Sequence, residues 1–234
     1  MCGRYVSPDQ AAIERAWRLR GANPLPFVRR FNVAPTDPVP LLVREDGLLT
    51  LHSARWGLIP GWWREEKPPK LSFNARVEES ATKPMWRDAM RFGRCLVPAE
   101  GWYEWRTDEH LDPATGEIVK SKQPFYVRRR DGRLLCFAGL ASRRSGKEPQ
   151  ISCSILTGPS AGPIAALHDR MPIALAQEVQ EEWLNPALKD AAQASALARE
   201  SARLEELVHY PVRKLVNSTR NDGPELIEPL ESAA

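Results

Sequence analysis

Runs rich in strand formers, separated by turn signals, fill the middle of the chain, and fewer stretches carry apolar residues at helical spacing. Val39 to Arg44 and Leu48 to Ala54 are rich in strand formers and flank Glu45-Asp46-Gly47, which predicts a hairpin. Phe125 to Arg130 and Arg133 to Ala141 flank Asp131-Gly132 and predict a second hairpin, with Ile151 to Thr157 as a further strand. Arg94 to Val97 and Gly101 to Arg106 complete a β-rich centre. Ser7-Pro8-Asp9-Gln10 predicts a helix start, with a Ser cap, a proline in the first turn and Gln three residues on. Ile13, Ala16 and Trp17 then follow at helical spacing until Gly21 stops the run. Lys83 to Phe92, Ala176 to Leu184 and the Ala-rich stretch from Pro186 to Val208 predict peripheral helices. Asp108 to Lys122 is polar, contains Pro113 and Gly116, and predicts an exposed loop. With no internal repeat and no break in composition, the pattern predicts one α+β domain over residues 1–234.

Composition narrows the class. Hydrophobic residues make up 42% and charged residues 27% of the 234, which is globular usage. A net charge of +3 permits a polyanionic partner without arguing for one. Cys2, Cys95, Cys136 and Cys153 form no Cys-x-x-Cys pair, so no zinc ribbon or thioredoxin-type motif is expected, and neither a metal nor a cofactor is called for. Charged residues at Arg4, Asp9, Glu14 and Arg15 stand where a signal peptide needs an apolar stretch, and no apolar run approaches a membrane span. A reducing, cytoplasmic setting is expected, with no membrane partner and nothing that demands more than a monomer.

The position of Cys2 carries the first chemical expectation. Once Met1 is removed, one residue holds both an α-amine and a thiol. An α-amine has a pKa of roughly 7.7 to 8, so a useful fraction is neutral and nucleophilic near neutrality. It can attack an aldehyde, and the thiol of the same residue can close the Schiff base into a five-membered thiazolidine. The alternative is acyl transfer, with the thiolate as nucleophile and the α-amine as base. Aldehyde trapping also calls for a proton donor and a base.

Pro98-Ala-Glu-Gly-Trp-Tyr-Glu-Trp-Arg106 supplies one candidate. Strand alternation places Trp102, Glu104 and Arg106 on one face, with Tyr103 and Trp105 on the other. A carboxylate among aromatics is desolvated and its pKa rises, which makes Glu104 a usable acid; the alternative is an ordinary ion pair with a neighbouring arginine. Among four histidines, His168 stands in Ala165-Ala-Leu-His-Asp-Arg-Met-Pro172, where an aliphatic segment gives way to a polar cluster. Asn74-Ala-Arg-Val-Glu78 is a second polar cluster, and Pro60-Gly-Trp-Trp63 sets adjacent tryptophans between turn residues. Trp62 and Trp63 could stack on unpaired bases, and Arg4, Arg76 and Arg170 could take phosphates, although burial is the commoner fate of Trp.

Together MCGR, Phe31-Asn-Val-Ala-Pro35, Trp56-Gly-Leu-Ile-Pro-Gly-Trp-Trp63, Asn74-Ala-Arg-Val-Glu78, Pro98 to Trp105 and His168-Asp-Arg-Met-Pro172 resemble the SRAP family, the SOS-response-associated abasic-site processing proteins. The resemblance runs from Cys2 to about Pro229. It implies a single SRAP-type domain with a β-rich, barrel-like centre and peripheral helices. It also implies a sensor of abasic sites in single-stranded DNA that crosslinks to them reversibly through Cys2 as a thiazolidine. On that resemblance Cys2 is the nucleophile, Asn74 orients it, Glu104 is the acid/base and His168 assists proton transfer. Arg4, Arg76 and Arg170 would hold phosphates, with Trp62 and Trp63 at the base stack. Removal of Met1 by a peptidase-like activity and β-lyase activity on abasic DNA belong to the same implication. Two rival readings stand beside it. One is an N-terminal-nucleophile amidohydrolase of the kind that begins Met-Cys-Gly, and the other is a single-strand-binding module without chemistry.

Overall fold

Glu45 and Leu48 pair across a two-residue turn in which Asp46 and Gly47 both have positive φ, 48° and 79°. That is the geometry whose twist matches flanking antiparallel strands, so the expected hairpin forms from β3 (Pro38–Glu45) and β4 (Leu48–Trp56). The computed structural model describes residues 2–19, 26–113, 115–144, 150–200 and 206–230.

The hairpin belongs to a closed barrel. β3 pairs with β6 (Arg94–Ala99), β6 with β9 (Leu135–Arg144), β9 with β10 (Gln150–Pro159), and β10 returns in parallel to β4. Closure of five strands removes the free edges that an open sheet would expose. Both faces of the barrel wall are buried, and side-chain alternation divides them. Val39, Leu41, Cys95, Val97, Phe137, Cys153 and Ile155 join one apolar cluster, while Leu42, Leu96, Ala138, Leu140 and Leu156 join another under the helices. Apolar residues on both faces make these strands read as nearly continuous hydrophobic runs.

A second, five-stranded sheet packs onto the first cluster. Its order is β12 (Leu207–Pro211), β8 (Ile118–Arg129), β7 (Gly101–Leu111), β1 (Tyr5–Ser7) and β2 (Arg30–Val33). Tyr5 meets Trp56 edge-on at 5.3 Å, and Trp102 meets Phe137 at 5.9 Å, so aromatic edges join sheet to barrel.

Several elements depart from the pattern. Asp131-Gly132 does not close a hairpin, because β8 stays in the five-stranded sheet while β9 enters the barrel. The turn is an anchored corner: the Asp131 carboxylate holds Arg129 at 2.7 Å and Arg133 at 2.7 Å. Within the expected loop, Asp108 to Leu111 and Ile118 to Lys122 instead form the outer part of a β7–β8 ribbon, with Asp108 opposite Ser121 and Leu111 opposite Ile118. Polarity there reflects a ribbon solvated on both faces rather than irregular backbone.

Helix α1 (Gln10–Trp17) is capped by Asp9, not Ser7; the Asp9 carboxylate accepts from the Ala12 N–H at 2.7 Å. It ends at Arg18, which takes the left-handed conformation, and Gly21 lies outside the described residues. α3 (Arg87–Phe92) is shorter than Lys83 to Phe92, and α4 spans Gln177–Trp183. The Ala-rich stretch yields α5 (Ala191–Glu200), opened by Asp190 accepting from Ala192 and Gln193, whereas Val208 lies in β12. Residues 201–205 of that expected helix lie outside the described residues. Among the described residues no helix is long and apolar enough to cross a membrane.

Candidate active site

Three segments meet at the end of β10. β5 (Asn74–Arg76) runs parallel to one edge of β10, with Asn74 opposite Ile155 and Arg76 opposite Thr157. β11 (Arg170–Pro172) runs antiparallel along the other edge, and Thr157 there faces Pro172. The third segment is the start of the chain. Tyr5 pairs with Trp102, and the Tyr103 N–H donates to the Arg4 carbonyl at 3.0 Å, so stepping outward along both strands brings Cys2-Gly3 beside Glu104.

Cys2 is buried within the first apolar cluster, and its thiol donates weakly to the Arg4 carbonyl at 3.8 Å. Burial pushes the Cys2 thiol well above its ordinary value, and the nearby Glu104 carboxylate adds to the rise. Asn74 donates from Nδ2 to the Cys2 backbone carbonyl at 2.7 Å. Its Oδ1 is buried and has no hydrogen-bond partner among the described residues.

Glu104 is buried as strand alternation predicts, on the face it shares with Trp102. Loss of water pushes its carboxyl up to about 7; Asp169 pushes the same way, and the positive amino terminus opposes. It is an acid that changes state near neutrality.

His168 leads into β11. Its Nδ1 lies 3.0 Å from the Arg170 backbone N–H and 2.6 Å from the Asp169 carboxylate. Partial burial lowers its pKa from 6.5, with the positive amino terminus acting the same way and Asp169 against. Cys2, Asn74, Glu104 and His168 therefore converge from four separate stretches of sequence.

The basic and aromatic candidates divide. Arg76 is exposed and forms no ion pair among the described residues. Arg170 is held bidentately by Glu78 at 2.8 and 2.9 Å and donates to the Thr157 carbonyl at 2.6 Å. Arg4 donates to Asn32 Oδ1 at 2.9 Å and to the Val216 carbonyl at 2.8 Å, so what it retains for a phosphate is mainly its charge. Trp62 is 47% exposed and Trp63 less so, with ring centroids 5.8 Å apart and the Trp63 N–H bonded to the Lys67 carbonyl. Sequence reasoning gave no role to Glu78 or Asp169, although both lie inside motifs it singled out. Among the described residues no group of three or more His, Cys, Asp or Glu side chains is arranged to hold a metal ion.

The sequence pattern of the SOS response associated peptidases (SRAP) matches residues 1–219. The chain belongs to the SRAP family. Abasic site processing protein YoqW of Bacillus subtilis is 35% identical to this SRAP chain over 200 residues, 85% of each. Abasic site processing protein YedK of Escherichia coli is 32% identical over 238 residues, covering 98% of this chain and all of that one. Abasic site processing protein HMCES of Gallus gallus is 30% identical over 207 residues, 77% of this chain and 58% of its own length. A Bacteroides thetaiotaomicron protein of solved structure shares the fold over 99% of the chain, with a TM-score of 0.78 at 24% identity. A phage-related protein of Bordetella bronchiseptica matches 91% of this SRAP chain and 95% of its own, with a TM-score of 0.70 at 29% identity.

Proposed function

We propose that this SRAP chain processes abasic sites in single-stranded DNA by joining them covalently to Cys2. The observation that carries the reading is the Asn74–Cys2 hydrogen bond beside a buried carboxyl whose pKa lies near 7. The names of the relatives support the substrate, and one apolar cluster shared by barrel and sheet supports a single domain.

Met1 is first removed by hydrolysis of the Met1–Cys2 peptide bond, a peptidase-like step at the same site. Asn74 then holds the Cys2 carbonyl through Nδ2, and its Oδ1 is available to accept from the new α-amine. The amine attacks C1′ of the ring-opened sugar, forming a C–N bond. Glu104 in its acid form protonates the carbinolamine oxygen, which leaves as water and yields the Schiff base. The thiol adds to the imine carbon, its proton passes to the nitrogen, and the thiazolidine closes. Overall amine, thiol and aldehyde give thiazolidine and one water, and every step reverses. Burial favours this order, because Cys2 presents a neutral thiol while the amine makes the first attack.

The Schiff base also makes the C2′ proton acidic, which opens β-elimination of the 3′ phosphate as the lyase branch. In this reading the exposed Arg76, with Arg4 and Arg170, supplies positive charge for the phosphates, and Trp62 and Trp63 stack on bases.

The deciding experiment incubates the mature protein with single-stranded DNA carrying one abasic site and resolves the products on a denaturing gel. A covalent band from the wild type, absent from Cys2→Ala and from undamaged DNA, is expected. Salt-sensitive binding without a covalent band, once mass spectrometry shows that Met1 is gone, would overturn the reading in favour of a binding module. Glutamine hydrolysis lost in Cys2→Ala would point instead to an amidohydrolase.

A further inference from the structure

We propose that Glu78 is a positioning residue of this site: through Arg170 it fixes where His168 stands and offsets the positive charge beside its ring. The inference rests on the reading of the site given above.

Glu78 follows Asn74 by four residues and lies in the short helix α2 (Val77–Ser80) that continues β5. Arg170 opens β11, on the opposite edge of β10. The Glu78–Arg170 pair thus reaches across the end of β10, where Arg170 also donates to the Thr157 carbonyl at 2.6 Å. A two-point bond from guanidinium to carboxylate fixes orientation as well as distance. The clamp therefore ties the segment that presents Asn74 to the segment that presents His168.

The same clamp governs the imidazole. The Arg170 backbone N–H lies 3.0 Å from His168 Nδ1 and the Asp169 carboxylate 2.6 Å from the same nitrogen, so a donor that favours a bare Nδ1 and an acceptor that favours Nδ1–H compete there. The charged groups acting on His168 are the Asp169 carboxylate, the Arg170 guanidinium and the positive amino terminus. Asp169 favours the imidazolium, and the two positive groups oppose it. Glu78 balances the charge of Arg170, whose side chain is only 11% exposed. Without that carboxylate the Arg170 charge acts on His168 with only Asp169 against it, and the guanidinium keeps only its bonding to Thr157.

Glu78→Gln keeps the shape and removes the charge. A residue that merely supported the fold would lower crosslinking, DNA binding and thermal stability together. A positioning residue predicts opposite signs. Crosslinking of abasic single-stranded DNA is expected to slow about tenfold. Binding of the same DNA without the lesion is expected to tighten at low salt, with a salt slope steeper by up to about one phosphate contact. Glu78→Asp, which keeps the charge, is expected to return binding to the wild-type level. An unchanged crosslinking rate in Glu78→Gln, or a parallel loss of rate and binding, would overturn the proposal.

A second measurement stands apart from the DNA reaction. Nitrogen-15 spectra of labelled histidine in the free mature protein report the tautomer and the titration midpoint of His168. Glu78→Gln is expected to show a lower midpoint than the wild type and a changed balance between the tautomers. Identical spectra for the two would overturn the proposal even if the wild type formed no covalent product, and altered spectra in that case would sustain Glu78 while removing the crosslinking reading.

Discussion

Asn74 donates a 2.7 Å hydrogen bond to the backbone carbonyl of Cys2, a residue 72 positions earlier in the chain. The bond holds the start of the chain against a strand that is itself paired to the barrel. Asn74→Ala removes the donor and the buried acceptor together, leaving the Cys2 backbone without its register. Single-turnover crosslinking is expected to fall roughly a hundredfold, while binding of undamaged single-stranded DNA stays near the wild-type level. Rates within twofold of wild type would assign Asn74 to strand pairing alone.

Glu104 makes the reaction and the fold depend on pH in the same direction, both weakening as its acid form is lost near pH 7. Its pKa rises from 4.5 to about 7 on folding, so between those values the folded state binds the extra proton. The stability it contributes is present at low pH and is lost as pH rises through about 7. Glu104→Gln is therefore expected to melt several degrees above wild type at pH 8 and close to it at pH 4.5. The same variant should lose the limb of the crosslinking pH profile near 7. Calorimetry at the two pH values and a rate profile check both, and a melting difference independent of pH would count against a buried, titrating carboxyl.

What the sequence showed of this site came from local grammar. Alternation placed Trp102 and Glu104 on one face, and Asp46-Gly47 at the turn predicted the β3–β4 hairpin; both need only neighbours along the chain. The β8–β9 corner was misread because Asp131-Gly132 is equally good turn chemistry whether or not the flanking strands pair. The choice rests on where Leu135 and Phe137 find a core, which is a tertiary fact. The sequence could not rank the arginines for a related reason. Arg4, Arg76 and Arg170 look alike in sequence, but partners more than ninety residues away bind Arg4 through Val216 and Arg170 through Glu78.

Those partners separate the arginines in solution. Arg76→Ala is expected to lower the salt dependence of single-strand binding by about one phosphate contact with no change in melting temperature. Arg4→Ala should instead lower the melting temperature, since Asn32 Oδ1 and the Val216 carbonyl each lose a donor. Equal salt slopes for the wild type and Arg76→Ala would remove Arg76 from the DNA path.

Arg94 has a structural task that its charge conceals. Buried against Trp183, it donates to the carbonyls of Met90, Arg91, Trp183 and Asn185, at the C-terminal ends of α3 and α4. One cation thereby closes two helix ends whose carbonyls and dipoles favour it. Arg94→Met should cost about 3 kcal/mol, read as a fall in melting temperature of roughly 6–12 °C. A fall under 2 °C would mean that water replaces the guanidinium there.

The outer β7–β8 ribbon is expected to be separable from the fold. Beyond Arg106 it pairs only with itself, and Leu111 and Ile118 at its tip are 68% and 66% exposed. Replacing residues 108–121 with a two-residue Asn-Gly turn should leave the melting temperature within a few degrees and keep crosslinking of short single strands. A large loss of stability would show that the ribbon packs on something beyond its own strands.

Asn74 and the segment leading from His168 are mounted on opposite edges of the same strand, β10, which is itself one stave of a closed barrel. The spacing between those two segments is therefore set by strand pairing along β10. Cys2 and Glu104 arrive together on a different sheet, through β1 and β7. The Asn74–Cys2 bond and the apolar cluster that both sheets share hold that second pair against the first, so the site is assembled only when sheet and barrel are packed together.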